Sequence, residues 1–253
     1  MKRPFRERLS RLRRDPLGVL RGRARLVYLR LRYGRLEGDQ AAAFWSDRHA
    51  KFGADDLRGV GRESWSHEAN AADYADAVLR VQGHIDGLGL ALGEARVLDL
   101  GCGVGTYAQM LRDAGVKNYV GVDIAATLLP ELRRRFEGYR FEQHDLAQSA
   151  PQGPFDLIVM IDVTQHLVAE GAFAAAMSHV REALAPGGAF VVTSWLKGPE
   201  RLSFFEAARP LAAYEEQFPS PEFSFGEREP FREKFLFAIR RSTSEREGGA
   251  ELA

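Results

Sequence analysis

The sequence predicts an α/β domain: a doubly wound, mostly parallel sheet covered by helices on both faces, with a helical extension ahead of it. Three observations carry this. From Ala95 to Trp195, short apolar runs of strand character alternate with helix-like segments at the pace of a parallel sheet. A glycine-rich turn joins the first of these runs to the helix that follows it. The 253 residues, 45% hydrophobic, are enough for one sizeable core.

Ahead of the sheet, residues 1–38 form a basic amphipathic arm. Residues 1–35 hold thirteen Lys/Arg against Glu7 and Asp15, a net +11 that the rest of the chain balances with −11. Leu17, Leu20, Ala24, Val27, Tyr28 and Leu31 fall at helical spacing among arginines, although Gly18 and Gly22 weaken the helix. Such a segment suits an anionic membrane surface; nucleic acid, the acidic body of the same chain and plain solvent are the other readings. Residues 39–94 make a helical lid. Within it, residues 39–51 (DQAAAFWSDRHAK) read as a helix capped by Asp39 and gripped by Phe44 and Trp45. A loop with Gly53, Gly59 and Gly61 follows. A second helix starts at the Ser66 cap and presents Ala69, Ala72, Ala75, Val78 and Leu79 as its apolar face.

The core occupies residues 95–241. Residues 95–115, ARVLDLGCGVGTYAQMLRDAG, are strand, turn and helix, and Gly101, Gly103 and Gly105 let the backbone turn sharply beside a ligand. Residues 118–124 (NYVGVDI) are a second strand whose acid, Asp123, lies 22 residues beyond Gly101, placed for ribose hydroxyls. A third strand, residues 139–146, ends near Asp145; a fourth, residues 155–162, ends at Asp162; a fifth, residues 184–195, begins on a Pro-Gly-Gly turn. Helices fall at residues 125–136 and 170–184. The third glycine of the turn comes one position early for a dinucleotide fingerprint. Asp99, two positions before Gly101, sits badly beside a pyrophosphate but suits a ligand carrying an ammonium group.

VLDLGCGVGTYAQML, YVGVDIAATLL, HDL, FDLIVMIDVTQHL and LAPGGAFVV, in this order over about residues 96–195, resemble the motif series of class I S-adenosylmethionine-dependent methyltransferases. The resemblance implies a Rossmann-like, seven-stranded methyltransferase fold and S-adenosylmethionine as cofactor. Carried onto this sequence, it places Asp99, Gly101, Cys102, Gly103 and Gly105 at the methionine part. Asp123 and Ile124 fall at the ribose, Asp145 and Leu146 at the adenine, and Ile161 at the end of the fourth strand.

Methyl transfer from a sulfonium needs alignment and, for a hydroxyl acceptor, a base. Asp162 and His166 close the fourth strand where acceptor and cofactor meet. His166 is either the base or a group that orients the site. Related methyltransferases place a divalent ion on a Glu-x-x-Glu-His string; here Asp162 and Gln165 depart from it, so no metal is expected. The fourth strand lacks an Asn/Asp-Pro-Pro-aromatic end, and the one cysteine sits in the glycine turn, which disfavours base-amine and pyrimidine-carbon methylation. The expected acceptor is a hydroxyl of a small molecule, sugar or lipid-linked glycan. A nucleic-acid methyltransferase steered by the arm and a non-catalytic cofactor-binding partner protein are the alternatives.

Trp45, His49, Trp65, His67 and Tyr74 supply the extension with aromatic and imidazole groups, and Trp45 and Tyr74 are the first candidates for acceptor contact. In the substrate segment, residues 197–230, Arg209 and Tyr214 are candidate contacts, although Leu211, Tyr214 and Phe218 at spacings of three and four equally make a core face. Residues 231–241 read as an antiparallel closing strand, and residues 242–253 as a disordered tail. One cysteine permits no internal disulfide. The sequence shows neither a long apolar span nor the apolar core of a signal peptide, so a cytoplasmic protein is expected, peripheral to a membrane if the arm binds one.

Overall fold

The computed structural model describes residues 16–243. Among the described residues, three α-helices precede the sheet: α1 (Pro16–Tyr33), α2 (Asp39–Phe52) and α3 (His67–Asp86). Then β1 (Arg96–Leu100), α4 (Thr106–Asp113), β2 (Asn118–Asp123), α5 (Leu129–Arg135), β3 (Arg140–Gln143), β4 (Phe155–Met160), α6 (Glu170–Ala183) and β5 (Leu184–Ser194) alternate as the sequence predicts. After a small hairpin, β6 (Glu200–Arg201) with β7 (Ala207–Ala208), come α7 (Leu211–Gln217), β8 (Phe223–Phe225), β9 (Glu229–Phe231) and β10 (Lys234–Arg241).

The strand order is β3-β2-β1-β4-β5-β10-β8. Adjacent strands are parallel as far as β5, and β10 then runs antiparallel to β5, as its sequence predicts. Seven strands therefore lie side by side; among the described residues β9 is an eighth, pairing only with the start of β10. The order reverses between β1 and β4, and at such a switch point the loops diverge and open a crevice at the carboxyl ends.

Strand periodicity divides the core in two. Val97, Leu157, Val159, Val191 and Ala238 face a cluster that takes in Val81 and Ile85 of α3, Leu111 of α4 and Leu132 of α5. Their neighbours Leu98, Ile158, Met160, Phe190 and Phe237 face the other cluster, with Met177 and Val180 of α6 and Tyr214 of α7. Strands buried on both faces read as the continuous apolar runs seen in the sequence. A third, smaller cluster joins the extension to the body: Tyr33, Leu36 and Phe44 pack against Phe204, with Leu26, Leu29, Trp45 and Phe205 at its edge.

Several local expectations are corrected. Asp39 is the first residue of α2, not its cap; Gly38 holds that position and makes no side-chain cap. Ser66 does cap α3, its hydroxyl accepting from the Ala69 N–H at 3.1 Å. The buried face of α3 is Asn70, Tyr74, Ala77, Val81 and Ile85. Ala69, Ala72, Ala75 and Leu79 are exposed instead, because the larger Tyr74, Val81 and Ile85 gain more from burial than alanine methyls do. Strand β3 ends at Gln143, so Asp145 lies in the following turn. The substrate segment, residues 197–230, contains the short strand β8. Ser242, expected in the disordered tail, is held by its N–H to the Glu222 carbonyl at 2.8 Å; residues 244–253 lie outside the described residues, as do residues 1–15 of the arm.

Gly105 lies at φ 81° as the N-cap of α4, and a Cβ there would stand 2.7 Å from Leu132 Cδ2 and 2.8 Å from Phe136 Cε2. Gly115 has φ 89° with open space around it. In thermal melts, Gly115→Ala should cost about 1 kcal/mol from backbone conformation alone. Gly105→Ala should cost about 1–3 kcal/mol more, because it also overpacks the α4–α5 contact.

Candidate functional site

A cavity of about 450 Å³ opens at the switch point. Its floor is the row of strand ends: Gly101, Cys102 and Gly103 after β1, Asp123 and Ile124 after β2, Asp145 and Leu146 after β3, and Ile161, Asp162 and His166 after β4. Its roof is the extension: Leu36 and Gly38, then Trp45 and His49 of α2, with Tyr74 of α3 and Tyr107 of α4 at the side.

The glycine turn is drawn under β2, where the Gly101 and Cys102 N–H groups donate to the Val122 carbonyl at 2.7 and 2.9 Å. Gly101 has φ 79°, and a Cβ on it would come 2.3 Å from Val163 Cγ2, so only glycine lets β1 and the β4 turn approach this closely. Asp123 locks the turn from the other side: its Oδ2 accepts from the Gly103 N–H at 3.0 Å and its Oδ1 from the Ala125 N–H at 2.8 Å. Each oxygen keeps a lone pair for a ligand hydroxyl. Asp145 caps its own turn, accepting from the Ala147 N–H at 3.0 Å and the Gln148 side chain at 2.9 Å, while it lines the cavity.

Two of the expected cofactor residues lie elsewhere. Asp99 is buried outside the lining and accepts from the Tyr119 hydroxyl at 2.7 Å; removal from solvent pushes its carboxyl up to about 7. Gly105 serves helix packing, as described. The lid expectations divide likewise. Trp45, Tyr74 and His49 line the cavity, whereas Trp65 is not among the lining residues and stacks with Arg62 at 4.4 Å. His67 is not among the lining residues either; it stands 3.7 Å from Asp56. Arg209 and Tyr214 are likewise absent from the lining. The Arg209 guanidinium is buried on the carbonyls of Leu167 and Ala208, at 2.8 and 3.0 Å, where it holds the segment after His166. Tyr214 is fully buried against Phe173 and Phe237, which makes its helical spacing a core face.

Asp162 adopts a left-handed conformation, φ 59°. Its N–H donates to Thr193 Oγ1 at 2.8 Å and its carbonyl accepts from Gln165 Nε2 at 2.9 Å. Its carboxylate is paired with Arg232 on one oxygen and Lys234 on the other. Burial alone would raise its pKa; the attraction of Lys234 and Arg232 outweighs that and holds it below the usual range. Arg232 also pairs with Asp73 at 2.9 Å and lies over the Tyr74 ring, 4.6 Å from its centroid. Both cations come from the β9–β10 hairpin, and no spacing in the sequence links them to Asp162. A cationic surround of this kind opposes a divalent ion on that carboxylate.

His166 sits in a 3-10 turn, residues 164–166, anchored by Thr164 Oγ1 to the Thr193 carbonyl at 2.8 Å. Its Nδ1 lies 2.7 Å from the Phe205 carbonyl, so the neutral ring carries its proton there and Nε2 holds the lone pair. Burial pushes its pKa down to about 4, which keeps the ring neutral at physiological pH. Trp45 meets it edge to face at 4.6 Å. Among the buried atoms with no hydrogen bond are His49 Nδ1 and Tyr107 Oη, both on cavity-lining residues. Tyr107 was invisible in sequence as a site residue; it simply follows Thr106 at the opening of α4.

Two outcomes test this geometry. Asp162→Ala leaves two half-buried cations without their shared partner and should destabilise the fold by about 1–3 kcal/mol in denaturant titrations. Asp99 has the opposite pH signature. Its folded pKa of about 7 lies above its unfolded value of roughly 3.9, so the folded state holds a proton that the unfolded state releases. That contribution is complete below about pH 4 and lost as pH rises through 7, and Asp99→Asn should flatten this part of the stability curve.

Residues 40–223 match the family described as "Methyltransferase domain". Over 103 residues the chain is 38% identical to a trans-aconitate 2-methyltransferase of Methylobacterium nodulans, a match covering 39% of this chain and 37% of that protein. The chain thus spans little more than a third of that curated relative. Among solved structures, the magnesium protoporphyrin IX methyltransferase of Synechocystis with bound SAM is 21% identical, with TM-score 0.60, over 79% of this chain and 97% of that one. A 1,6-didemethyltoxoflavin-N1-methyltransferase of Burkholderia thailandensis is 20% identical, with TM-score 0.56, over 81% of this chain and 89% of that one.

Proposed function

Because the chain belongs to the methyltransferase-domain family, we propose that it moves a methyl group from S-adenosylmethionine to a hydroxyl of a small molecule or glycan, with His166 as the base. The observation that carries this reading is the neutral His166 ring, its Nδ1 held by the Phe205 carbonyl and its Nε2 left with a lone pair beside the cavity. When bound, S-adenosylmethionine supplies an electrophilic methyl on a positively charged sulfur.

The residues of the cavity fit that cofactor. Asp123 and Asp145 offer acceptor oxygens at neighbouring strand ends, and the Gly101–Gly103 backbone leaves the approach free of side chains. His49 Nδ1 and Tyr107 Oη are buried polar atoms awaiting a partner, and such atoms cost about 1–3 kcal/mol each until they find one. Trp45 and Tyr74 offer aromatic faces to a cation. His166 would take the acceptor's O–H proton on Nε2 as the methyl–sulfur bond gives way to a C–O bond; burial, Lys234 and Arg48 disfavour the imidazolium that results, while the Phe205 carbonyl and the Asp162 carboxylate support it. Asp162, held by Arg232 and Lys234, is the electrostatic partner and not a second base.

A second reading is a carboxylate acceptor, which needs no base. The name of the curated relative supports it. His166 separates the two. For a hydroxyl acceptor, His166→Ala should lower kcat about a hundredfold with cofactor affinity unchanged; for a carboxylate, turnover should stay within a few-fold. In the wild type, a base with a pKa near 4 predicts no loss of kcat/KM between about pH 8 and 5, with the acid limb close to 4 rather than at the usual imidazole value of about 6.5. Calorimetric titration tests the cofactor: absence of binding at millimolar S-adenosylmethionine would refute the proposal. Tyr107→Phe should weaken binding by about 0.5–1.5 kcal/mol.

A further inference from the structure

Helix α1 has two apolar faces, and the body covers only one of them. At 3.6 residues per turn, Leu26, Leu29 and Tyr33 fall on one side and pack in the small cluster with Phe44 and Phe204. The stripe noted in the sequence lies opposite. Leu20, Val27, Tyr28 and Leu31 are 60, 57, 54 and 83% exposed, and Ala24 is exposed between them. These four account for most of the large hydrophobic side chains exposed among the described residues.

Arginines border this stripe on both sides. Arg23 and Arg30 flank one edge, exposed and without an acidic partner among the described residues. Arg25 and Arg32 flank the other, pairing with Glu63 and Asp47 of the body while remaining 62 and 50% exposed. No described helix is long and apolar enough to cross a membrane. An apolar strip between two cationic margins is what an interfacial helix needs: its side chains enter the acyl boundary while guanidinium groups meet headgroup phosphates.

We propose that α1 docks this protein, by its outward face, on an anionic lipid surface. Charge complementarity selects this occupant over the others. A second copy placing the same stripe against this one would bring the arginine margins together. Nucleic acid would engage the arginines but give the leucine stripe nothing to bury against. Because α1 leads directly into Leu36 and Gly38 at the cavity wall, docking would hold the cavity within about one helix length of the lipid, roughly 27 Å for 18 residues.

The test uses the full chain in co-sedimentation with vesicles of phosphatidylcholine alone and of phosphatidylcholine with about 30 mol% phosphatidylglycerol, whose surface carries the negative potential that attracts basic segments. Binding should be at least about tenfold tighter on the anionic vesicles and should weaken as salt rises from about 0.1 to 0.5 M, because screening shortens the reach of the arginines. Leu20→Ser with Leu31→Ser should remove at least about tenfold of that binding. The thermal melt and S-adenosylmethionine titration of this variant should match wild type, since both side chains are exposed and neither lines the cavity. Arg23→Gln with Arg30→Gln should reduce the salt dependence. No binding to anionic vesicles at low salt would overturn the proposal. So would binding that is indifferent to the leucine pair, equally tight binding to an RNA oligonucleotide, or a dimer in light scattering that the leucine pair dissolves. The cofactor titration on the same samples keeps a failure here distinct from a failure of the proposed chemistry.

Discussion

The ion-paired carboxylate of Asp162 is the constraint around which the site is arranged. It lies at the end of β4, in a left-handed backbone conformation that non-glycine residues adopt at a cost of roughly 1–3 kcal/mol. Contacts from four directions hold it there. Thr193 of β5 fixes its N–H, Gln165 its carbonyl, and Arg232 and Lys234 its two oxygens. Arg232 extends the grip to Asp73 and Tyr74 of α3. Helix α3, the parallel sheet and the closing hairpin therefore meet on one half-buried charge. Their geometry sets where the chain turns toward His166.

Helix α2 is joined to His166 by a second, apolar connection. The loop that carries Phe204 and Phe205 contributes two rings to the Tyr33–Leu36–Phe44 cluster and one carbonyl to His166 Nδ1. Trp45 of α2 lies against His166 and within 6.3 Å of Phe205. Arg48, one turn from Trp45, donates to the carbonyls of Arg58, Gly59 and Gly61 and thereby ties the glycine-bearing loop to α2. Packing that positions the roof also fixes the tautomer of the imidazole. The two tasks share residues because the aromatic loop is too short to separate them.

Reading from residues to structure worked best where local chemistry and tertiary role agree. The strand runs, the Ser66 cap, the glycine turn, Asp123 and the antiparallel β10 were legible, since each is set by a few adjacent residues. It failed where a pattern had two solutions of similar local energy. The alanines of α3 gave no preference between faces until Tyr74, Val81 and Ile85 met the sheet. The acid ahead of the glycine turn looked like a ligand group, but the buried Tyr119 hydroxyl claims it. Arg209 looked like a substrate contact, yet unpaired loop carbonyls took its guanidinium.

By itself the sequence determined the alternation of strands and helices, the row of glycine and acid at the strand ends, and hence the family and the place of the cavity. Those features follow from backbone periodicity and turn chemistry, which act over a few residues. Tertiary structure decided the charge state and orientation of what lines that cavity: the pairing of Asp162 with Arg232 and Lys234 across some seventy positions, the Phe205 carbonyl on His166, and the outward face of α1. Electrostatic partners and burial depend on which distant segments the fold brings together, and spacing along the chain carries no record of that.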